Sequence, residues 1–284
     1  MNSSESRNNL HFPSIIGESK NDLDNIIRNI DSHYNEWIEE KIDKKTGQFK
    51  TYLDGTIKKR VIRPSKKRLK GIQSKIKDRI LSKIELPDNV HGGVKKKSNI
   101  TNAKQHQGNK YQFATDLKDF YPSIKSKIIH DTFVKLGYNK QFAFYMTKLT
   151  TWKGELPQGT PTSTHLSNII FLETDYKLIK ICNENNITYT RYIDDLTFSS
   201  QKDIQEFIPV FLNIIKDSGV KISHRKTEYK GNQNITGINI FLNKIDAPEK
   251  IILKAEEENI AEKKIKPYNS YLSNIRKTNK RKKN

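Results

Sequence analysis

Apolar residues return along this chain at two different periods, and the switches between them mark its elements. From Asn21 to Lys45, Leu23, Ile26, Ile27, Ile30, Tyr34, Trp37, Ile38 and Ile42 recur at steps of three and four. That spacing predicts one amphipathic helix, capped at Asn21 or Asp22. Turn signals follow at Thr46-Gly47 and Asp54-Gly55. Gln48–Leu53 and Ile57–Arg63 read as a hairpin across the second of these. Pro64-Ser65 breaks the segment, and Leu69, Ile72, Ile76, Ile80, Leu81 and Ile84 mark a second helix. His91-Gly92-Gly93 is a loop, and the polar stretch Asn102–His106 starts a short helix.

Period two then takes over. Tyr111–Leu117 reads as a strand, with a helix from about Lys125 to Leu136 after it. Leu156–Thr162 is a Pro/Gly loop opening a long helix that carries Leu166, Ile169, Ile170, Leu172, Tyr176, Ile179 and Ile181. Ile187–Thr190 and Leu196–Ser199 are rich in β-branched and aromatic residues, so they predict a hairpin turning at Asp194-Asp195. A helix over Asp203–Asp217 ends at Ser218-Gly219. Val220–Ser223 and Asn234–Leu242 read as strands, and 249–284 as polar helix with a basic end.

Charge changes the picture most. The net charge is +20 and is unevenly spread: residues 1–57 carry −3, and the rest carry +23. Between Lys58 and Lys70, eight of thirteen residues are basic and none is acidic. Such a field implies a polyanionic partner, nucleic acid by default. The basic stretches lack the bulky apolar face of a membrane-surface helix, and no run of about 20 apolar residues could cross a bilayer. Cys182 is the single cysteine and the polar start of the chain shows no secretory pattern, so a reducing cytosol is the expected setting.

Two adjacent carboxylates on a turn repel each other unless a cation sits with them. Asp116 falls at the C-terminal end of a strand, where sheets of this kind place their chemistry. Phosphoryl transfer to a growing 3′ end uses two metal ions about 4 Å apart, held by carboxylates. Asp116, Asp194 and Asp195 suit that cage.

At these residues the chain resembles the reverse transcriptases. Arg60–Gln73 resembles their fingers blocks, and Asp116-Leu-Lys-Asp-Phe-Tyr-Pro-Ser-Ile their first catalytic motif. Leu156-Pro-Gln-Gly-Thr-Pro-Thr-Ser resembles the substrate-binding motif, and Tyr192-Ile-Asp-Asp the Tyr-x-Asp-Asp box. Gly219-Val-Lys-Ile-Ser with Lys226-Thr227 resembles the next palm motif. Asn102-Ala-Lys-Gln-His106 and Ile235-Thr236-Gly237 resemble two elements of the retron branch.

The resemblance implies an α+β right-hand polymerase fold: fingers, a ferredoxin-like palm and a small helical thumb. The expected spans are an N-terminal helical segment (1–44), fingers (45–110), palm with interleaved fingers helices (111–244) and a short basic thumb (245–284), with no room for an RNase H domain. It implies that Asp116, with Leu117 beside it, Asp194 and Asp195 hold two Mg²⁺ ions. Tyr121 would be the steric gate against a 2′-OH, and Gln158 and Gly159 would line the incoming dNTP. Arg60, Arg63 and Arg68 are open alternatives for the triphosphate clamp, and Lys226 would give pyrophosphate its proton. Asn102, His106, Thr236 and Gly237 would recognise RNA.

The implied activity is RNA-directed DNA synthesis on the chain's own structured non-coding RNA. Synthesis would start from the 2′-OH of a guanosine, giving multicopy single-stranded DNA, in antiphage defence with a toxin or effector partner. The alternatives are an abortive-infection or CRISPR-associated reverse transcriptase, and a non-catalytic RNA-binding scaffold. Ile193 departs from the Ala that is more usual in the box, and Tyr121 stands where Phe is common.

Overall fold

The structure, a computed structural model, describes residues 7–42, 47–52, 54–231, 234–262 and 264–279. Contacts divide the chain into two units, Met1–Glu85 with Asp119–Ile170 and Leu86–Lys118 with Phe171–Asn284.

The first unit is mainly helical, with helices Lys20–Arg28, Lys67–Arg79, Ser126–Lys135, Lys140–Thr150 and Ser163–Ile170. Phe12 is buried in its core, stacking on Tyr145 at 5.5 Å and meeting Phe142 edge-on at 5.2 Å. Each such buried ring contributes about 1.5–3 kcal/mol.

The helix expected over Asn21–Lys45 is shorter. Ser19, not Asn21 or Asp22, caps it by accepting from the Asp22 N–H at 3.1 Å. It stops at Asn29, whose side-chain amide turns back to the Asn25 carbonyl. Asp31, Ser32, His33 and Asn35 are poor helix formers, and the chain then extends. Strand β1 (Trp37–Glu40) pairs antiparallel with β2 (Lys59–Ile62), Trp37 opposite Ile62. Trp37, Ile38 and Ile42 are therefore exposed and form no helical stripe. The hairpin expected across Asp54-Gly55 survives as a bridge between Thr51 and Ile57; Leu53 lies outside the described residues.

The second unit is built on an antiparallel sheet. Its strands are β3 (Tyr111–Lys118), β4 (Thr188–Tyr192), β5 (Asp195–Ser200), β6 (Lys221–Ile222) and β7 (Glu228–Lys230). The order is β4-β5-β3-β6, with β7 also on β3. Helices Leu172–Glu184 and Ile208–Asp217 belong to this unit, and Phe211 stacks on Phe198 of β5 at 4.2 Å. The long helix expected after Leu156–Thr162 is thus two separate helices, Ser163–Ile170 and Leu172–Glu184. Cys182 is buried and free, and burial pushes its thiol up to about 12.

A smaller core completes the second unit. It joins helix Asn99–Gln105, the sheet of β8 (Asn234–Ile235), β9 (Ile238–Ile240) and β10 (Ile245–Asp246), and helices Glu249–Ile260 and Pro267–Lys277. Asn234–Leu242, expected as one strand, is a hairpin. Thr236 (φ 47) and Gly237 (φ 83) both have positive φ, the signature of a tight two-residue turn. Pro267 explains the break in the C-terminal helix. The basic residues from Lys280 onward lie outside the described residues. The whole is an α+β fold.

Candidate active site

The register of the central sheet brings the carboxylates together. Asp116 of β3 stands directly opposite Asp195 of β5, so the two side chains share one face. Like charges in that position are destabilising. Asp194 occupies the second place of the two-residue turn that joins β4 to β5, and Tyr192 pairs with Asp195 across it. The turn is therefore Ile193-Asp194, one residue earlier than the expected Asp194-Asp195, and Asp195 is already on the strand. The Leu117 N–H donates to the Asp194 carbonyl at 2.9 Å, tying the turn to β3.

Asp116 is buried, while Asp194 and Asp195 are half-buried. Burial first, then the charges of Asp194 and Asp116, push the Asp195 carboxyl up to about 7, against the pull of Lys226. The Lys226 ammonium pairs with Asp116 Oδ2. Burial works against that ammonium, but its bond to Asp116 and the three carboxylate charges raise it on balance. Lys226 is presented by a helical turn, His224–Lys226, that hangs from β3 where the Ser223 N–H donates to the Asp116 carbonyl at 2.7 Å. Among the described residues, no three His, Cys, Asp or Glu side chains already form a metal-holding group. The donor set nevertheless suits a hard divalent cation: all oxygen, mutually repelling and open to solvent on one side.

The turn is strained. Ile193 has φ 61, where a β-branched residue is a true outlier, at a cost of about 1–3 kcal/mol. A positive φ at the first turn position alone is the pattern usually filled by glycine. Three contacts hold it. Leu117 grips Asp194, as above. The Arg191 Nη1 donates to the Ile193 carbonyl at 2.9 Å. Gly92 lies so close that a Cβ there would stand 2.5 Å from the Ile193 nitrogen. Gly92 arrives on a short parallel run along β4, where Arg191 accepts from His91 at 2.8 Å and donates to Asn89 at 2.9 Å. Sequence reading gave no role to Arg191, Asp175 or Gly92. An arginine inside a strand otherwise destined for the core was the available signal.

Of the expected nucleotide-binding residues, Tyr121, Gln158, Gly159 and the three arginines belong to the first unit and Lys226 to the second. The Arg63 N–H donates to the Gln158 carbonyl at 2.8 Å, and Gly159, at φ 106, packs beside Ile62 and Pro64. The Tyr121 hydroxyl bonds to Thr164 Oγ1 at 3.1 Å. The three arginines differ. Arg63 is largely buried, bound to Glu36 and Glu155 and lying over the Trp152 ring. Arg60 pairs with Glu39 at 2.7 Å, and Arg68 with Glu18 and Asp22, all through exposed guanidinium groups.

The two retron-like elements touch each other. Asn99 donates to the Thr236 carbonyl, and the Asn102 amide lies 3.5 Å from Thr236 Oγ1. Asn102 and His106 are each 1% exposed. His106 bridges Ser199 and Thr190 at 2.6 and 2.7 Å, and burial pushes its ring down to about 3. Side chains this enclosed bind the helix to the sheet. Gly237 is exposed and Thr236 half-buried.

Three comparisons bear on this arrangement. The family described as "Reverse transcriptase (RNA-dependent DNA polymerase)" matches residues 42–240. The chain is 33% identical over 190 residues to the Retron Ec86 reverse transcriptase of Escherichia coli, covering 65% of this chain and 59% of that protein. It is 32% identical over 170 residues to the Retron Se72 reverse transcriptase of Salmonella heidelberg, covering 60% and 45%. The chain thus spans about half the length of the curated relatives it matches. A solved telomerase from Candida albicans aligns with 49% of this chain and 30% of its own, at TM-score 0.41 and 10% identity. On the match across residues 42–240, this chain belongs to the reverse transcriptase (RNA-dependent DNA polymerase) family.

Proposed function

We propose that this chain is the RNA-directed DNA polymerase of a retron, acting in a bacterial cytoplasm. The observation that carries the reading is the facing pair Asp116 and Asp195, with Asp194 in the adjoining turn and Lys226 beside them. Asp116, Asp194 and Asp195, with the Leu117 backbone beside them, would hold Mg²⁺. When bound, that metal supplies the charge that acidifies the attacking hydroxyl and neutralises the pyrophosphate.

The chain's own groups do the rest. Lys226, protonated and already at the carboxylates, is placed to give a proton to the leaving pyrophosphate. The Tyr121 ring, steadied through Thr164, excludes a 2′-OH from the incoming dNTP, beside Gln158 and Gly159. Arg60 and Arg68, held by exposed pairs that exchange easily, take the triphosphate. Arg63 is a brace, since two carboxylates already claim it. Thr236 and Gly237 face the RNA, and Asn102 and His106 act by fixing that surface.

The template is the chain's own structured non-coding RNA. Synthesis starts from the 2′-OH of a guanosine, and the product is a branched RNA–DNA molecule. Its cellular role is antiphage defence with an effector protein. The test is incubation of the chain with its neighbouring non-coding RNA, dNTPs and Mg²⁺. A DNA strand that stays joined to one RNA nucleotide after ribonuclease treatment is the expected product. Unbranched DNA would leave a reverse transcriptase of another bacterial type.

A further inference from the structure

Behind the strained turn lies the largest fully buried side chain of the described residues, and it is charged: Arg191. Its partner, Asp175 on helix Leu172–Glu184, is equally sealed, both side chains being 0% exposed. Arg191 Nε donates to Asp175 Oδ1 at 2.9 Å and Nη2 to Oδ2 at 2.6 Å, a two-pronged fork. The Tyr189 hydroxyl adds a third bond to Asp175 at 2.8 Å, and the guanidinium lies 5.0 Å from the Phe171 ring centre.

Stability is a poor reason for such a pair. Removing two charges from water costs about what their attraction returns, and apolar residues of the same volume commonly serve as well or better. An apolar pair cannot, however, donate a hydrogen bond to the Ile193 carbonyl, as Arg191 Nη1 does. That carbonyl belongs to the peptide between the two turn residues. Rotation of this peptide interconverts the two common hairpin turns. The rotated form would put Asp194 at positive φ, which it does not have here, and would re-aim its carboxylate. It would also carry the Ile193 carbonyl away from Arg191.

We infer that Arg191, itself fixed by Asp175, is a positioning residue that locks the Ile193–Asp194 peptide and so aims Asp194 and Asp195 at Asp116. The consequence for polymerisation rests on the reading above; the consequence for the turn does not. The fork explains the choice of arginine. Two of its nitrogens face Asp175 and a third is left to hold the turn, a division that lysine cannot reproduce.

The test replaces the pair by Arg191→Met with Asp175→Leu in the full chain. Three quantities are read: thermal unfolding, Mn²⁺ affinity by electron paramagnetic resonance, and the split of kcat from KM for dNTP on a primed RNA template. The pair variant should fold, bind Mn²⁺ about tenfold more weakly and lose about 100-fold in kcat with little change in KM. Adding Ile193→Gly, which favours this turn unaided, should recover about tenfold in both metal affinity and kcat. Should the pair variant not fold, Arg191→Lys, which keeps the charge but loses the fork, is read in the same way. Mn²⁺ affinity and kcat both within about twofold of the parent would overturn the inference, as would losses that Ile193→Gly leaves untouched. If the parent chain itself incorporates no dNTP, the polymerase reading fails, and the Mn²⁺ affinities alone decide this one.

Discussion

Two charged clusters share one hairpin and are built on opposite terms. Asp175 and Arg191 are one acid and one base, sealed from water and bonded through a fork. Asp116, Asp194 and Asp195 are three acids with Lys226, partly open to solvent, and Asp195 is driven up to about 7, first by burial and then by its neighbours. The first cluster is balanced by the protein. The second is left with repulsion that a bound cation would relieve. The contrast separates scaffold from site: where charge is closed off and matched it holds position, and where it is unmatched and accessible it awaits a ligand.

The comparison breaks most visibly if the sealed pair is cut. Arg191→Met alone strands the Asp175 carboxylate and should cost about 3–5 kcal/mol in denaturant unfolding. Asp195→Asn, which removes repulsion, should leave stability unchanged or raise it. Equal losses from both would erase the distinction.

A smaller effect belongs to the close approach behind the turn. Gly92→Ala places a Cβ 2.5 Å from the Ile193 nitrogen and should cost about 1–3 kcal/mol. Gly71→Ala, at an exposed position of helix Lys67–Arg79 with nothing within 4 Å, is the control and should stabilise by about 0.5–1 kcal/mol.

The buried ring of His106 gives a pH dependence. Its folded value, about 3, lies below the ordinary 6.5, so the unfolded chain binds the proton first. Stability from this group is full above 6.5 and falls as pH drops toward 3, by about 1.4 kcal/mol per unit and about 2 kcal/mol at pH 5. Unfolding at pH 7 and pH 5 measures it, and His106→Gln should flatten the slope. A small loss of stability is expected at Arg60→Ala. Its exposed pair with Glu39 is worth less than about 1 kcal/mol, yet KM for dNTP should rise.

What could be read from sequence follows the range of the interactions. Tyr192–Asp195 and the strands beside it were legible because turn and strand chemistry are local. That Asp116 ends a strand was legible too, but its place directly opposite Asp195, which lies on β5 and not in the turn, depends on a register between strands far apart in sequence. The stretch from Asn21 to Lys45 misled because its apolar residues fit a helical period, while the burial that would justify one ends near Tyr34. Asn234–Leu242 misleads because β-branched residues flank Thr236-Gly237 on both sides, so its strand character hides the turn that both residues make at positive φ. The Arg191–Asp175 pair was not legible at all. The two residues are sixteen apart, and only the packing of helix Leu172–Glu184 on β4 makes them partners.

The most direct measurement is Mg²⁺-dependent incorporation of dNTPs on a primed RNA template by the parent chain and by Asp194→Asn, with folding of both checked by thermal unfolding. The expected result is DNA complementary to the RNA from the parent, and none from a variant that melts at the same temperature. Incorporation by the variant at the parent's rate, or none by a folded parent chain, would contradict the assignment of the Asp116, Asp194 and Asp195 cluster as a polymerase site.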